Sequence, residues 1–250
     1  GNARGDADGT IINIENSKIY DNGNSSGWGI FHPQIGIVNI SGEDTEIKAA
    51  TAIEMRGGEL NITGGKIIAT DYYSNPNTGS GTTLGGVAIA VTQHTGIGDN
   101  QRPVIVNVSG GTVEALDETG KAIYETDFAD DDPTGIEINI TGGNYSGEVY
   151  SENVKGFVKA GAFDTDLDDS YIAADTVFYE QDGVTGVGEE YVASAGAVAY
   201  VGNKAYGTLQ AAIDEANAGD TVTLLGNVTE NIVIDSGDKI TLDLNGKTIT

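Results

Sequence analysis

One short phrase returns along this chain and limits what it can fold into. It reads Leu-Asn-Ile-Thr-Gly-Gly-Lys-Ile-Ile-Ala at 60–69, Val-Asn-Val-Ser-Gly-Gly-Thr-Val-Glu-Ala at 106–115 and Ile-Asn-Ile-Thr-Gly-Gly-Asn-Tyr-Ser-Gly at 138–147. A copy at 38–49 has two extra residues in its turn, and a degenerate copy occupies 12–19. In each, an Asn (Asn13, Asn39, Asn61, Asn107, Asn139) lies between two aliphatic residues. Alternation with period two puts the aliphatic pair on one face of a strand and the Asn on the other. Gly-Gly then supplies a tight corner, and a second short strand follows. A unit this short cannot bury its own apolar face, so copies must stack.

A third strand precedes each phrase: Gly-Trp-Gly-Ile-Phe at 27–31, Thr-Ala-Ile-Glu-Met at 51–55, Val-Ala-Ile-Ala-Val at 87–91 and Lys-Ala-Ile-Tyr-Glu at 121–125. Successive Asn residues are 26, 22, 46 and 32 positions apart. A minimum near 22 with variable excess fits a three-sided parallel coil with insertions at its corners, because each coil contacts only its neighbours. The insertions are 70–85, 94–103 and 126–135, and the first two flank one Ala-Ile strand. The expected fold is therefore all-β, a three-sided parallel β-helix.

The phrase fades after Gly-Phe-Val-Lys-Ala-Gly-Ala-Phe at 156–163, where Lys159 stands in place of Asn. The expected organisation is β-helix coils over 1–163, a closing segment and connector over 164–197, and a cap helix with opening coils over 198–250. Thr208 suits a helix N-cap, and Leu209, Ala212, Ile213 and Ala216 share a helical face; this predicts one short capping helix near 208–218, ended by Gly219. Strands are expected at 221–225, 232–234 and 240–244. The tail Leu-Asn-Gly-Lys-Thr-Ile at 244–249 reads as a shortened copy of the phrase, so 221–250 is expected to dock on the coil at 10–20 of its own chain or of a neighbour.

The stretch from Thr208 to Val228, followed by Ile-Thr-Leu-Asp-Leu-Asn-Gly-Lys-Thr-Ile at 240–249, resembles the start of right-handed, pectin-lyase-like parallel β-helix modules of large bacterial surface proteins. The Asn-Ile-Thr-Gly-Gly phrases and Gly-Ala-Phe-Asp-Thr-Asp at 161–166 resemble the body and end of such modules. The resemblance implies that fold, its right-handedness and an extracellular setting, secreted or attached to the cell wall. It implies no particular chemistry. The pattern is already running near Gly1 and still running at Thr250, as in a segment of a longer protein.

Composition narrows the partners. A net charge of −26 opposes binding to nucleic acid and adsorption to anionic lipid. No apolar run is long enough to insert in a membrane. With no Cys in the chain there is no disulfide framework, which fits a bacterial surface protein. The sequons at Asn39, Asn61, Asn107 and Asn139 follow from the strand period, with stacked Asn side chains bonding coil to coil; a sugar- or ice-binding face of Asn and Thr/Ser columns is the sharper alternative.

Asp164, Asp166, Asp168 and Asp175 fit positions 1, 3, 5 and 12 of a calcium loop, but Asp169 replaces the usual Gly at position 6. Asp130 and Asp132 form a second acidic group that could hold calcium. Calcium is possible and no cofactor is required. Trp28, Tyr72 and Tyr73, with His94 in a neighbouring loop, are carbohydrate-binding candidates, because aromatic rings stack on the apolar faces of sugars; Trp28 and Phe31 could equally be core residues. Enzymes of the resembling fold use carboxylates with calcium and an Arg or Lys base, or clustered Asp residues. Arg4, Arg56 and Arg102 and His32 and His94 offer no recognisable set. The expected role is a non-catalytic surface module of adhesin type, a stiff spacer presenting loops to a glycan or host surface protein, with end-to-end self-association possible. The alternative is a polysaccharide lyase or glycoside hydrolase.

Overall fold

A computed structural model describes residues 9–21, 27–73, 85–93, 103–126, 135–174, 176–182, 189–202, 204–237 and 239–250. The chain advances in rungs. The first holds β1 (Ile11–Glu15), β2 (Lys18–Tyr20) and β3 (Trp28–His32); the second holds β4 (Ile37–Ser41), β5 (Glu46–Ala49) and β6 (Thr51–Met55). The third holds β7 (Gly58–Ile62), β8 (Lys66–Ala69) and β9 (Val87–Val91); the fourth holds β10 (Val104–Val108), β11 (Thr112–Ala115) and β12 (Lys121–Glu125). In the fifth, β13 (Ile136–Ser146) runs unbroken through the corner and β14 (Glu148–Ser151) follows. Every rung pairs in parallel with the next, giving three ladders: β1-β4-β7-β10-β13, β2-β5-β8-β11-β13 and β3-β6-β9-β12-β14.

The ladders are in register with the repeated phrase. Ile40, Ile62, Val108 and Ile140 stand above one another, as do Val38, Leu60, Val106 and Ile138. The second ladder adds the column Ile47–Ile67–Val113–Tyr145, and the third adds Ile30–Ile53–Ile89–Ile123–Val149. All these side chains meet in one interior cluster, with Ile30 partly buried at its margin. Full burial of a Val, Leu or Ile side chain contributes about 1.5–3 kcal/mol, so the columns are the main stabilising element.

The polar side of the phrase is ordered too. Asn39 Nδ2 donates to Asn13 Oδ1 (2.8 Å), Asn61 to Asn39 (2.9 Å), Asn107 to Asn61 (2.9 Å) and Asn139 to Asn107 (3.0 Å). The Asn of each sequon is therefore one step of a directional hydrogen-bond ladder. At the corner the two glycines do different jobs. The second, as in Gly111, has φ +86°, which L-residues seldom adopt. The first is a point of close approach: a Cβ on Gly110 would lie 2.7 Å from the Thr63 carbonyl oxygen, and on Gly142 2.5 Å from that of Ser109.

The fifth rung is closed differently from the others. β15 (Val158–Phe163) pairs in parallel with β13 through a register shift. A 3₁₀ turn (Asp169–Tyr171) follows, and then an antiparallel hairpin of β16 (Thr176–Asp182) and β17 (Glu189–Ala195), with β17 antiparallel to β15. Aliphatic columns give way here to Tyr145 stacked on Phe163 (centroids 4.7 Å), Phe163 against Phe178 (6.1 Å) and Phe157 against Tyr171 (5.1 Å). Apart from one parallel bridge between Val158 and Ile172, aromatic rings and an antiparallel strand end the parallel pairing. The connector expected over 164–197 contains this hairpin.

The last part holds β18 (Ala199–Val201), β19 (Lys204–Tyr206), α1 (Leu209–Glu215), β20 (Thr221–Leu224) and β21 (Thr241–Asp243) in the sheet order β19-β18-β20-β21. Thr208 Oγ1 accepts from Ala211 N, and the Glu230 carboxylate accepts from Leu209 N and Gln210 N. Helix α1 stops at Glu215, before Gly219, and residues 232–234 form no strand. Asn245 is not a ladder Asn: it has φ 43° in a turn and donates Nδ2 to Leu224 O. Asp243 is exposed, next to the partly buried Leu242 and the exposed Leu244. This sheet meets the preceding hairpin through Tyr179, Ala197 and Leu225, with Tyr179 stacked on Tyr200 (4.8 Å). Among the described residues β1 pairs only with β4, and β21 only with β20. The chain is all-β with stacked parallel ladders and one α-helix among the described residues.

Candidate functional site

Aromatic and charged side chains gather on the outward face of the third ladder. Ala52, Ala88 and Ala122 join the interior beside Ile53, Ile89 and Ile123, and β12 shifts in register against β14 between Lys121 and Ile123. Val87 and Ala90 form a separate outer cluster with Tyr73, Tyr124 and Tyr150. Two outward columns result, Trp28–Thr51–Val87–Lys121–Glu148 and Phe31–Glu54–Ala90–Tyr124–Tyr150. Strand spacing of about 4.8 Å makes this strip roughly 19 Å tall.

Aromatic groups occupy its two ends. At one, Trp28 and Phe31 lie 5.7 Å apart, and Trp28 Nε1 donates to Glu54 Oε2 (2.8 Å). At the other, Tyr124 stacks on Tyr150 and meets Tyr73 edge-on, both at 5.4 Å. The Lys121 ammonium sits 4.7 Å from the Tyr73 ring centroid and forms an ion pair with Glu148. Burial first, then the Glu152 charge, raise the Tyr150 phenol above its ordinary pKa. Between the ends, Thr51, Glu54, Val87 and Ala90 are fully buried although they face outward. Among the described residues, exposed rings therefore lie only at the ends of the strip, Phe31 at one and Tyr72 beside the other.

The ionisable groups near this face are also enclosed. Glu54, Arg56 and His32 are all buried. Burial lowers the pKa of Arg56, which the Glu54 charge opposes. Burial likewise lowers His32, opposed by a backbone hydrogen bond at Gly36. Glu125, inward on β12, accepts from Ser151 Oγ (2.7 Å), Asn153 N (2.8 Å) and Asn153 Nδ2 (2.9 Å). Ser151 N and O in turn engage the Tyr171 hydroxyl. This carboxylate is saturated and anchors the loop after β14.

Trp28 and Tyr73 lie on the same face at opposite ends of the strip, and Tyr72 is exposed beside Tyr73. His94, Asp130, Asp132 and Asp175 lie outside the described residues. Asp164, Asp166 and Asp168 serve separate stretches of chain. Asp164 accepts from Ser146 Oγ (2.6 Å) and Gly147 N (2.9 Å), Asp166 from Leu167 N (2.9 Å) and Asp168 from Ser170 N (2.8 Å). The Ser170 side chain and N–H hold Asp168 below the ordinary carboxylate range. Among the described residues no group of three or more His, Asp or Glu side chains is placed to hold a metal, and no helix is long and apolar enough to cross a membrane.

Sequence reasoning missed Tyr124, Tyr150, Lys121 and Glu148. The signal was available: Glu-Val-Tyr-Ser at 148–151 is a fifth Ala-Ile-type strand, and aligning all five places Tyr150 in the column of Phe31. Comparison with known proteins gives no match to any protein-family model, to any curated protein or to any solved structure.

Proposed function

We propose that this chain is a non-catalytic module of a secreted or wall-attached bacterial surface protein, built as a right-handed, three-sided, pectin-lyase-like parallel β-helix. It acts as a stiff spacer that binds a glycan through the aromatic ends of the outward strip of the third ladder. The observation that carries the reading is the strip itself: Trp28 with Phe31 at one end, and Tyr72, Tyr73 and Tyr150 at the other, on a rigid floor of paired strands. Such rings offer stacking area at small entropic cost. Three ladders per rung support the three-sided form. The enclosure of Glu54, Arg56 and His32 disfavours the hydrolase or lyase alternative, which needs an acid and a base within reach of substrate.

A glycan array probed with the full chain tests the proposal. Binding that is lost in Trp28→Ala or Tyr150→Ala, with the melting temperature of each variant recorded, supports it. Release of reducing ends from pectin or mucin would replace it with the enzyme reading. Binding unaffected by both substitutions would move the site off this strip.

A further inference from the structure

Among the described residues no strand lies beyond the first rung. Ile12 and Ile14 stand at the foot of the columns headed by Val38 and Ile40. Ile12 is 43 % exposed and its neighbour Ile11 is 58 % exposed, whereas Val38 is 1 % exposed. Among the described residues β21 has no partner beyond β20, and Leu244, Val233 and Ile234 are exposed.

The Asn ladder has a direction. Each Asn donates Nδ2 to the Asn of the preceding rung. Asn13 accepts from Asn39, and its own Nδ2 donates to no described residue. The ladder therefore ends on a donor that calls for an acceptor one rung earlier, between two inward aliphatic residues. The chain contains such an acceptor on β21. Asp243 lies between Leu242 and Leu244, is exposed, and uses Oδ1 for Asn245 N. Strands β20 and β21 pair in parallel, as β1 and β4 do. A β1 placed after β21 therefore continues the chain sense of both sheets.

We propose that copies of this chain associate head to tail. Strand β21 of one copy adds to β1 of the next, pairing Leu242 with Ile12, Asp243 with Asn13 and Leu244 with Ile14. The contact is heterologous, so it propagates into linear oligomers rather than closing as a dimer. The occupant is a second copy because the spacing of two aliphatic residues about one acceptor matches the donor-terminated edge. The charge of −26 per copy opposes association, and salt screens that repulsion.

Sedimentation velocity of the full chain over a concentration series at low and high salt tests the proposal. The expected result is a sedimentation coefficient that rises with concentration, more steeply at high salt. Asn13→Asp still accepts from Asn39 inside the chain but sets a carboxylate against Asp243 of the next copy. It should weaken association about tenfold or more with the melting temperature unchanged. Adding Asp243→Asn should restore association, and Ile12→Glu should abolish it. Concentration-independent monomer at high salt, association indifferent to Asn13→Asp, or a double variant as weak as the single one would each overturn the proposal.

Discussion

Replacing the first glycine of the Gly-Gly corner by alanine separates two explanations for its presence. If glycine is there for backbone freedom, Gly64, Gly110 and Gly142 should all resist substitution alike. If it is there because rungs touch, the cost should follow the distance to the rung beneath. A Cβ at Gly142 would meet Ser109 O at 2.5 Å and at Gly110 would meet Thr63 O at 2.7 Å, whereas at Gly64 the nearest atom is Gly42 N at 3.4 Å. Restoring ordinary contact at Gly142 requires the backbone to part by roughly 0.9 Å, and overpacking of this kind costs about 1–3 kcal/mol. Loss of glycine from the unfolded chain returns about 0.4–1 kcal/mol. Gly142→Ala and Gly110→Ala should therefore cost up to about 2.6 kcal/mol net and lower the melting temperature by up to roughly 10 °C for a chain of this length. Gly64→Ala should leave it unchanged or raise it by up to about 4 °C. Thermal melts followed by circular dichroism decide the matter. Equal losses at all three positions, or the largest loss at Gly64, would refute the rung-contact argument.

Other outcomes follow from the same contacts. Glu125→Leu removes the acceptor of the buried Ser151 hydroxyl and of the Asn153 N and Nδ2 donors and should cost about 1–3 kcal/mol, and Glu125→Gln less, read as a fall in denaturant midpoint. Asn107→Ala removes two ladder bonds, to Asn61 and from Asn139, and should cost about 1–2 kcal/mol by the same measurement. Burial holds His32 below its ordinary value of 6.5, so below that pH the unfolded chain binds the proton more readily than the folded one. The contribution of His32 is then fully present above about pH 6.5 and is lost as pH falls towards the lowered folded value. The stability difference between the wild type and His32→Gln should shrink between neutral pH and mild acid, and a difference independent of pH would contradict this.

The rungs were legible because two periodicities coincide in the phrase: Leu60-Asn61-Ile62 alternates with period two, and Gly-Gly marks the corner. That was enough to place Ile62, Val108 and Ile140 in one column and to anticipate the Asn ladder. The end of the stack was less legible. The antiparallel partner of β15 lies in a segment without the phrase, and Tyr145 enters an aliphatic column that its Gly-Gly-Asn-Tyr context does not single out. Asn245 misled for a physical reason: Asn-Gly suits a left-handed turn as well as a strand end, and here the turn prevails. At the candidate site, Trp28 and Tyr73 were visible as loop-side aromatics. Tyr124 and Tyr150 come into view only when Glu-Val-Tyr-Ser at 148–151 is aligned with the four Ala-Ile strands, which puts both in the column of Phe31.

The stacking of rungs in register is the claim on which the rest depends, and the absence of natural cysteine makes it directly testable by cross-linking. Asn61 and Asn107 are 46 residues apart in sequence but directly opposed between β7 and β10, within the spacing of about 4.4–6.8 Å between Cα atoms that a disulfide spans. The double variant Asn61→Cys/Asn107→Cys should oxidise readily to an intramolecular disulfide, detected by its shifted mobility on non-reducing gels. Glu59→Cys/Asn107→Cys, on the same face but two residues out of register, should stay reduced under the same conditions. Faster closure of the out-of-register pair, or no closure of either, would contradict the stacked-rung account.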